Sequence, residues 1–248
     1  MIRLPFSIEP LVRLLPASWA AAIDYHLRPH LRREWHGPFN GQHHRQQIFR
    51  DLVAACDFVA IAETGTYRGS TTEFMARQTG LPVYTAEVAR RYHGYAARRL
   101  RRVAGVHLFL DDSRRFLRRL AEDPEIPKSS VFFYLDAHWY GDHPLLEELG
   151  IIFSRWSRPV VMIDDFAVPD DPGYDCDDEG AGRRLCLAYI EPPLLKFDLV
   201  PFFPRLRSEL ESGSRQGCVV LARGETLSLL GGVTSLRRCG GRREASSV

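Results

Sequence analysis

Lysine is nearly missing from this chain. Of its 33 basic residues only Lys128 and Lys196 are lysines, and 31 acidic residues bring the formal net charge to just +2 at pH 7. A balance so near zero supplies no global attraction toward nucleic acid. The one dense basic cluster, Arg98, Arg99, Arg101 and Arg102, falls on a predicted helix and reads as a solvated face. Cysteine is also scarce: Cys56, Cys176, Cys186, Cys218 and Cys239 are odd in number, and no two stand at C-x-x-C spacing. That argues against a zinc site or a disulfide framework and for reduced thiols. Long apolar runs are lacking too. Leu11 to Ile23 is interrupted by Arg13 and Pro16 and is too short to span a bilayer. Pro5, Glu9 and Arg13 break any secretory apolar core in the same stretch, so a cytoplasmic protein with no membrane partner is expected.

What is present is an alternation. Residues 1–36, rich in proline, arginine and aromatics, read as an N-terminal extension with one or two short helices. His43 to Cys56 places Ile48, Leu52, Val53 and Cys56 at helical spacing. The period then changes: 58–62 is a short apolar strand, 64–70 a glycine-containing loop, and 71–78 a helix closed by Gly80. Strands at 83–87, 106–110, 131–136 and 160–164 alternate with helices at 90–103, 113–121 and 144–156. Such alternation predicts an α/β, Rossmann-like doubly wound fold: a mostly parallel seven-stranded sheet with a terminal antiparallel strand and helices on both faces. Late strands are read at 197–203 and 217–222, the domain at 37–225, and a C-terminal tail at 226–248 whose end, from Arg237, frays.

In open α/β sheets ligands lie at the carboxyl ends of the strands. Here Glu63, Glu87, Asp112, Asp136 and the pair Asp164-Asp165 fall at or just past five successive strand ends. The first end carries Glu63-x-Gly65-x-x-x-Gly69, a loop in which glycine permits a tight turn and the next helix offers free N–H groups. A dinucleotide loop would have glycine where Tyr67 stands, which argues against a pyrophosphate; Glu63 suits a ligand with a cationic amino group. Glu87, twenty-two residues after Gly65, sits at the offset where an acid meets a ribose diol. Asp112-Ser113 ends the third strand, where a carboxylate suits an adenine amino group and Ser113 a helix cap.

These motifs, over about residues 43 to 223, resemble the class I S-adenosylmethionine-dependent methyltransferases. They are most similar to bacterial O-methyltransferases of the macrocin type and their cephalosporin-hydroxylase-like relatives. The resemblance implies that Glu63 and Gly65 lie near the methionine moiety, Glu87 near the ribose and Asp112 near the adenine. Thr66, Tyr67, Gly69, Ser70, Ser113 and Asp136 complete the expected cofactor set. The acids Asp136, Asp164 and Asp165 would repel one another unless a cation neutralises them. Hard oxygen ligands suit Mg²⁺, and metal-dependent O-methyltransferases carry acids at the same strand ends.

The catechol-type members place a lysine where this chain has Trp139, which leaves His138 and His143 as the nearest candidate general bases. An iron site built from His138, Asp142 and His143 ranks lower. The acidic stretch Asp170–Asp178 reads equally as a substrate loop or a solvated one, and 39–42 as a segment contacting cofactor or substrate. The expected function is Mg²⁺-assisted methyl transfer from S-adenosylmethionine to a small-molecule hydroxyl, on a sugar or natural product. The alternative is a non-methylating relative, hydroxylase-like or a cofactor-binding module. The acidic mouth argues against a nucleic-acid acceptor, and a homodimer is expected only by analogy.

Overall fold

The computed structural model describes residues 9–137, 143–178 and 184–238. The helices are α1 (Glu9–Arg13), α2 (Ala17–Leu27), α3 (His43–Ala55), α4 (Ser70–Thr79), α5 (Arg90–Leu100), α6 (Ser113–Glu122), α7 (Leu145–Arg155), α8 (Glu191–Phe197) and α9 (Thr226–Gly231). The strands are β1 (Ala60–Thr64), β2 (Val83–Glu87), β3 (Val106–Leu110), β4 (Ser130–Leu135), β5 (Arg158–Ile163), β6 (Val200–Pro204), β7 (Val219–Ala222) and β8 (Leu236–Arg238). Two 3-10 segments, Pro29–His36 and Pro38–Gly41, link α2 to α3.

The strands form one sheet in the order β3-β2-β1-β4-β5-β7-β6-β8. Strands β1 to β5 are parallel, β7 runs antiparallel to both β5 and β6, and β8 is antiparallel to β6. Parallel strands covered on both faces must be apolar on both sides, and β4 (Ser-Val-Phe-Phe-Tyr-Leu) is buried at every position. Its pleat divides the core. Phe132 and Tyr134 join Phe49, Leu52 and Met75 under α3 and α4, whereas Phe133 and Leu135 join Phe116, Leu149 and Phe153 under α6 and α7.

Two local readings differ from the structure. The expected strand 197–203 is a helix end followed by a shorter strand: α8 closes at Phe197, Asp198 turns at φ 54°, and β6 begins at Val200. Two prolines begin α8, where the first turn needs no N–H. The sheet has eight strands, because Leu236–Arg238 pairs with the edge of β6. Arg237 and Arg238 thus belong to a strand, and the rest of the expected fraying end lies outside the described residues.

From β1 the chain order runs outward both ways, to β2 and β3 on one side and to β4 and β5 on the other. That reversal opens a crevice at the carboxyl ends of β1 and β4, where ligands of open α/β sheets bind.

Candidate functional site

A cavity of about 540 Å³ occupies this crevice, within the usual range for small-molecule sites. The turn after β1 forms its floor. Gly65 N–H and Thr66 N–H both donate to Ala86 O, tying the turn to β2. Gly65 has φ +89°, and a Cβ there would stand 2.1 Å from Asp136 O, so only glycine lets the β1 and β4 ends come this close. Tyr67, at φ 48°, donates its N–H to Glu87 Oε2 at 2.8 Å, while Ala89 N–H binds Oε1 of the same carboxylate at 2.8 Å. Burial pushes the Glu87 carboxyl up, and the N–H groups of Ala89 and Tyr67 oppose it.

Gly65, Tyr67, Glu87, Asp112, Ser113 and Asp136 all line the cavity. Thr66 and Ser70 line a smaller cleft of about 40 Å³ that shares Gly65, Tyr67 and Asp136 with it. Asp112 is also the cap of α6: its side chain accepts from Arg114 N–H and Arg115 N–H, and Arg114 pairs with it at 2.8 Å. The guanidinium of Arg114 holds this carboxyl below its usual range. The cap is therefore Asp112 rather than Ser113.

Two members of the expected cofactor set sit elsewhere. Glu63 is buried beneath the turn, where its Oε2 accepts from Thr72 of α4 and from Thr85 of β2 at 2.6 Å. It is not on the cavity wall among the described residues, and burial pushes its carboxyl up to about 7. Side chains alternate along a strand, and that of Glu63 points into the layer beneath, where it braces the turn through Thr72 and Thr85. Gly69 lies off the wall as well. It opens α4 in the left-handed conformation, with Leu100 packed where a side chain would be.

The expected metal set does not assemble. Asp164 is fully buried and turned away from the cavity, where it forms an ion pair with the Arg45 guanidinium. It also accepts from Tyr134 OH at 2.5 Å, Asn40 Nδ2 at 3.0 Å and Asp165 N–H at 2.8 Å. Among the described residues no three His, Cys, Asp or Glu side chains converge to hold a metal ion. Asp136 and Asp165 do line the cavity, with Asp165 at φ 51°. Arg45 stands three, four and seven residues before Ile48, Phe49 and Leu52, so helical spacing turns it inward, but no local signal names Asp164 as its partner.

Of the expected bases, His143 is half-buried, its ring edge-on to Tyr189 at 6.2 Å, and is not on the cavity wall; its neighbour Pro144 is. His138 and Asp142 lie outside the described residues. Trp35, Asn40, Tyr92, Asp111, Asp177 and Gln216 join the wall without having been singled out as site residues. Segments 39–42 and 170–178 had carried the signal for two of them. Phe39 is core, Asn40 faces the cavity, and Gln42 donates to Gln216 O at 2.8 Å. In the acidic stretch Asp171 is buried and holds Ser208, Tyr174 OH donates to Leu206 O, and Asp177 reaches the cavity. Asp171 and Tyr174 anchor the segment, while Asp170, Asp175 and Asp178 are exposed to solvent.

No family model and no curated relative matches the chain. Solved structures do. The O-methyltransferase TomG from Streptomyces achromogenes, involved in tomaymycin synthesis and solved with S-adenosylmethionine, matches with 18% identity over 88% of this chain and 94% of that one, at a TM-score of 0.54. Cofactor-bound Rv0187 from MTB matches with 18% identity over 90% and 98%, at 0.51. An rRNA methylase from Streptococcus thermophilus matches with 20% identity over 72% and 95%, at 0.47. The fold is that of the class I S-adenosylmethionine-dependent methyltransferases.

Proposed function

We propose that this protein is an S-adenosylmethionine-dependent methyltransferase acting on a hydroxyl group of a small molecule. The observation that carries the reading is one cavity, at the switch in strand order, walled by Gly65 and Tyr67 of the first turn, Glu87 at the end of β2 and Asp112 after β3. TomG, of the same fold, holds S-adenosylmethionine and is an O-methyltransferase, which supports both cofactor and reaction class.

S-adenosylmethionine supplies an activated methyl on a sulfonium. The chain's part is to bind, orient and exclude water. Glu87, fixed by two backbone N–H groups, keeps lone pairs for the ribose hydroxyls. Asp112 presents an acceptor toward the adenine end while capping α6. With that methyl bound, attack by an acceptor hydroxyl would leave the sulfur with the electrons of its bond to the methyl, and the chain's own part would be to take up the hydroxyl proton on a carboxylate. Asp136 and Asp165, on the wall beyond Gly65, are the groups to which this proton is assigned.

Magnesium assistance is the weaker part of the expectation. Two of its three acids remain on the wall, but Asp164 is committed to Arg45, so the reaction is assigned to the chain's own carboxylates. Among the described residues the wall of the main cavity carries six carboxylates and neither lysine nor arginine, which favours a small acceptor over a polyanionic one.

The test is calorimetric titration of the purified protein with S-adenosylmethionine, with and without Mg²⁺, repeated on Glu87→Ala. Micromolar-range binding that weakens by more than about tenfold in the variant supports the site, since a lost hydrogen-bonded carboxylate removes more than about 1.4 kcal/mol. Absence of binding to the unaltered protein removes the methyltransferase reading. Formation of S-adenosylhomocysteine with an added hydroxyl compound then separates a transferase from a cofactor-binding module.

A further inference from the structure

Helix α2 turns Trp19 and Leu27 outward beside Ser18 and His26, with no acid, lysine or arginine among its exposed side chains. Its sequence, Ala-Ser-Trp-Ala-Ala-Ala-Ile-Asp-Tyr-His-Leu, contains one acid, Asp24, and that residue is buried against α5 and paired with Arg28 and Arg91. Ala20 and Ala21 face inward with it, while Trp19 and Leu27 stand 68% and 71% exposed on the outward side. A helix on a protein surface ordinarily turns charged residues to solvent, and large apolar side chains on an outward face are ordinarily covered. The turn before it continues the pattern, with Leu11 and Leu14 exposed at 69% and 82%. Five of the thirteen large apolar side chains that are exposed among the described residues fall between Leu11 and Leu27, a concentration on α1, α2 and the turn between them.

The charge around these side chains is mostly positive: Arg13, Arg28 and Arg91 pair with Glu9 or Asp24 and Arg99 with Glu73, while Arg101 and Arg102 add exposed positive charge. Helix α5 packs antiparallel along α2: Arg91 pairs with Asp24, the Tyr95 ring meets Tyr25 at 5.3 Å, and Arg98 donates to Ser18 O at 3.3 Å. That register carries Arg101 and Arg102, both exposed, on toward the turn that bears Leu14 and Leu15. Residues 9–28 and 90–102 hold eight arginines against Glu9 and Asp24, a formal surplus of six. An isologous dimer across this face would set each arginine cluster against its own copy, which like-charge repulsion opposes. Nucleic acid would meet the arginines but leave Trp19 and the leucines in water.

We propose that the α1–α2–α5 face docks on an anionic lipid surface. Trp19, Leu11, Leu14 and Leu27 would enter the headgroup boundary while Arg13, Arg101 and Arg102 meet lipid phosphates, the combination that holds interfacial helices on membranes. This is attachment to one leaflet; no helix among the described residues is long and apolar enough to cross a membrane. The proposal is independent of the chemistry in the cavity.

Flotation of the full chain with vesicles tests it, using phosphatidylcholine alone and phosphatidylcholine with about 30% phosphatidylglycerol, since anionic lipid is what the arginines should read. Retention on the anionic vesicles alone is expected, with release as salt rises from about 0.1 M to about 1 M. Arg101→Glu with Arg102→Glu, and separately Trp19→Ser with Leu14→Ser, should each weaken retention on the order of tenfold. All four side chains are exposed, so unchanged thermal unfolding certifies the fold of each variant. No retention, or retention indifferent to both variants, overturns the proposal. So does a doubled mass in light scattering that the Trp19 variant abolishes, which would give the face to a second copy. Salt-sensitive capture of an RNA duplex that depends on the arginines but not on Trp19 likewise overturns it.

Discussion

Arg45 and Asp164 form an ion pair in which neither side chain is more than 1% exposed. The arginine reaches in from α3 and also donates to Gln216 O; the aspartate gathers Tyr134 OH, Asn40 Nδ2 and Asp165 N–H. Removing one partner of such a pair leaves an uncompensated buried charge. Asp164→Asn is expected to destabilise the protein by about 3–5 kcal/mol, and Arg45→Met by a similar amount. The double variant should cost less than the sum, because neither charge is then stranded. Urea unfolding of the three variants checks this; additive losses would mean that the two groups do not act as a pair.

Gly65 makes the second prediction. Its positive φ and the 2.1 Å approach of a notional Cβ to Asp136 O leave no room for a methyl group. Gly65→Ala should separate the β1 and β4 ends, lower stability by roughly 1–3 kcal/mol and abolish cofactor heat in calorimetry. A variant that binds S-adenosylmethionine normally would show that the turn has slack the structure does not suggest.

Asp112 carries two roles that substitution can separate. Asparagine caps a helix about as well as aspartate does, whereas alanine loses about 1 kcal/mol of helix stability. Asp112→Asn should therefore unfold close to the unaltered protein, while Asp112→Ala should unfold earlier in urea. If the side chain also meets the adenine, both variants weaken S-adenosylmethionine binding; unaltered binding in Asp112→Asn would restrict the residue to capping α6.

The alternation of apolar runs and amphipathic helices made the sheet legible, because a parallel strand must be apolar on both faces and helices that cover it must be amphipathic. β8 escaped because a three-residue edge strand with two arginines has no such pattern. Glu87, Asp112 and Asp136 were legible in the site from their places at strand ends. Glu63 and Asp164 have the same placement, yet the pleat sends their side chains into Thr72 with Thr85 and into Arg45. Strand-end position alone does not say whether a carboxylate looks into the crevice or into the layer beneath. Asn40, Asp177 and Gln216 come from loops brought together only by the fold, and no local spacing announces that.

Glu63 offers a prediction in pH. Burial is the largest cause of its raised value of about 7, with the Thr72 and Thr85 hydroxyls opposing and Glu87 adding. In the unfolded chain the same carboxyl titrates near its ordinary 4.5. Between those values the folded protein binds more protons than the unfolded chain, so stability falls as pH rises through this window and levels off above about 7. Glu63→Gln keeps a carbonyl oxygen for both threonines and removes the ionisation. The variant should therefore gain on the unaltered protein across the window, by at most roughly 3 kcal/mol. Urea unfolding of both proteins at intervals from pH 4.5 to 8 measures that difference directly. A difference that stays constant with pH would mean that Glu63 titrates alike in the folded and unfolded chain, so that burial beneath the turn does not raise it.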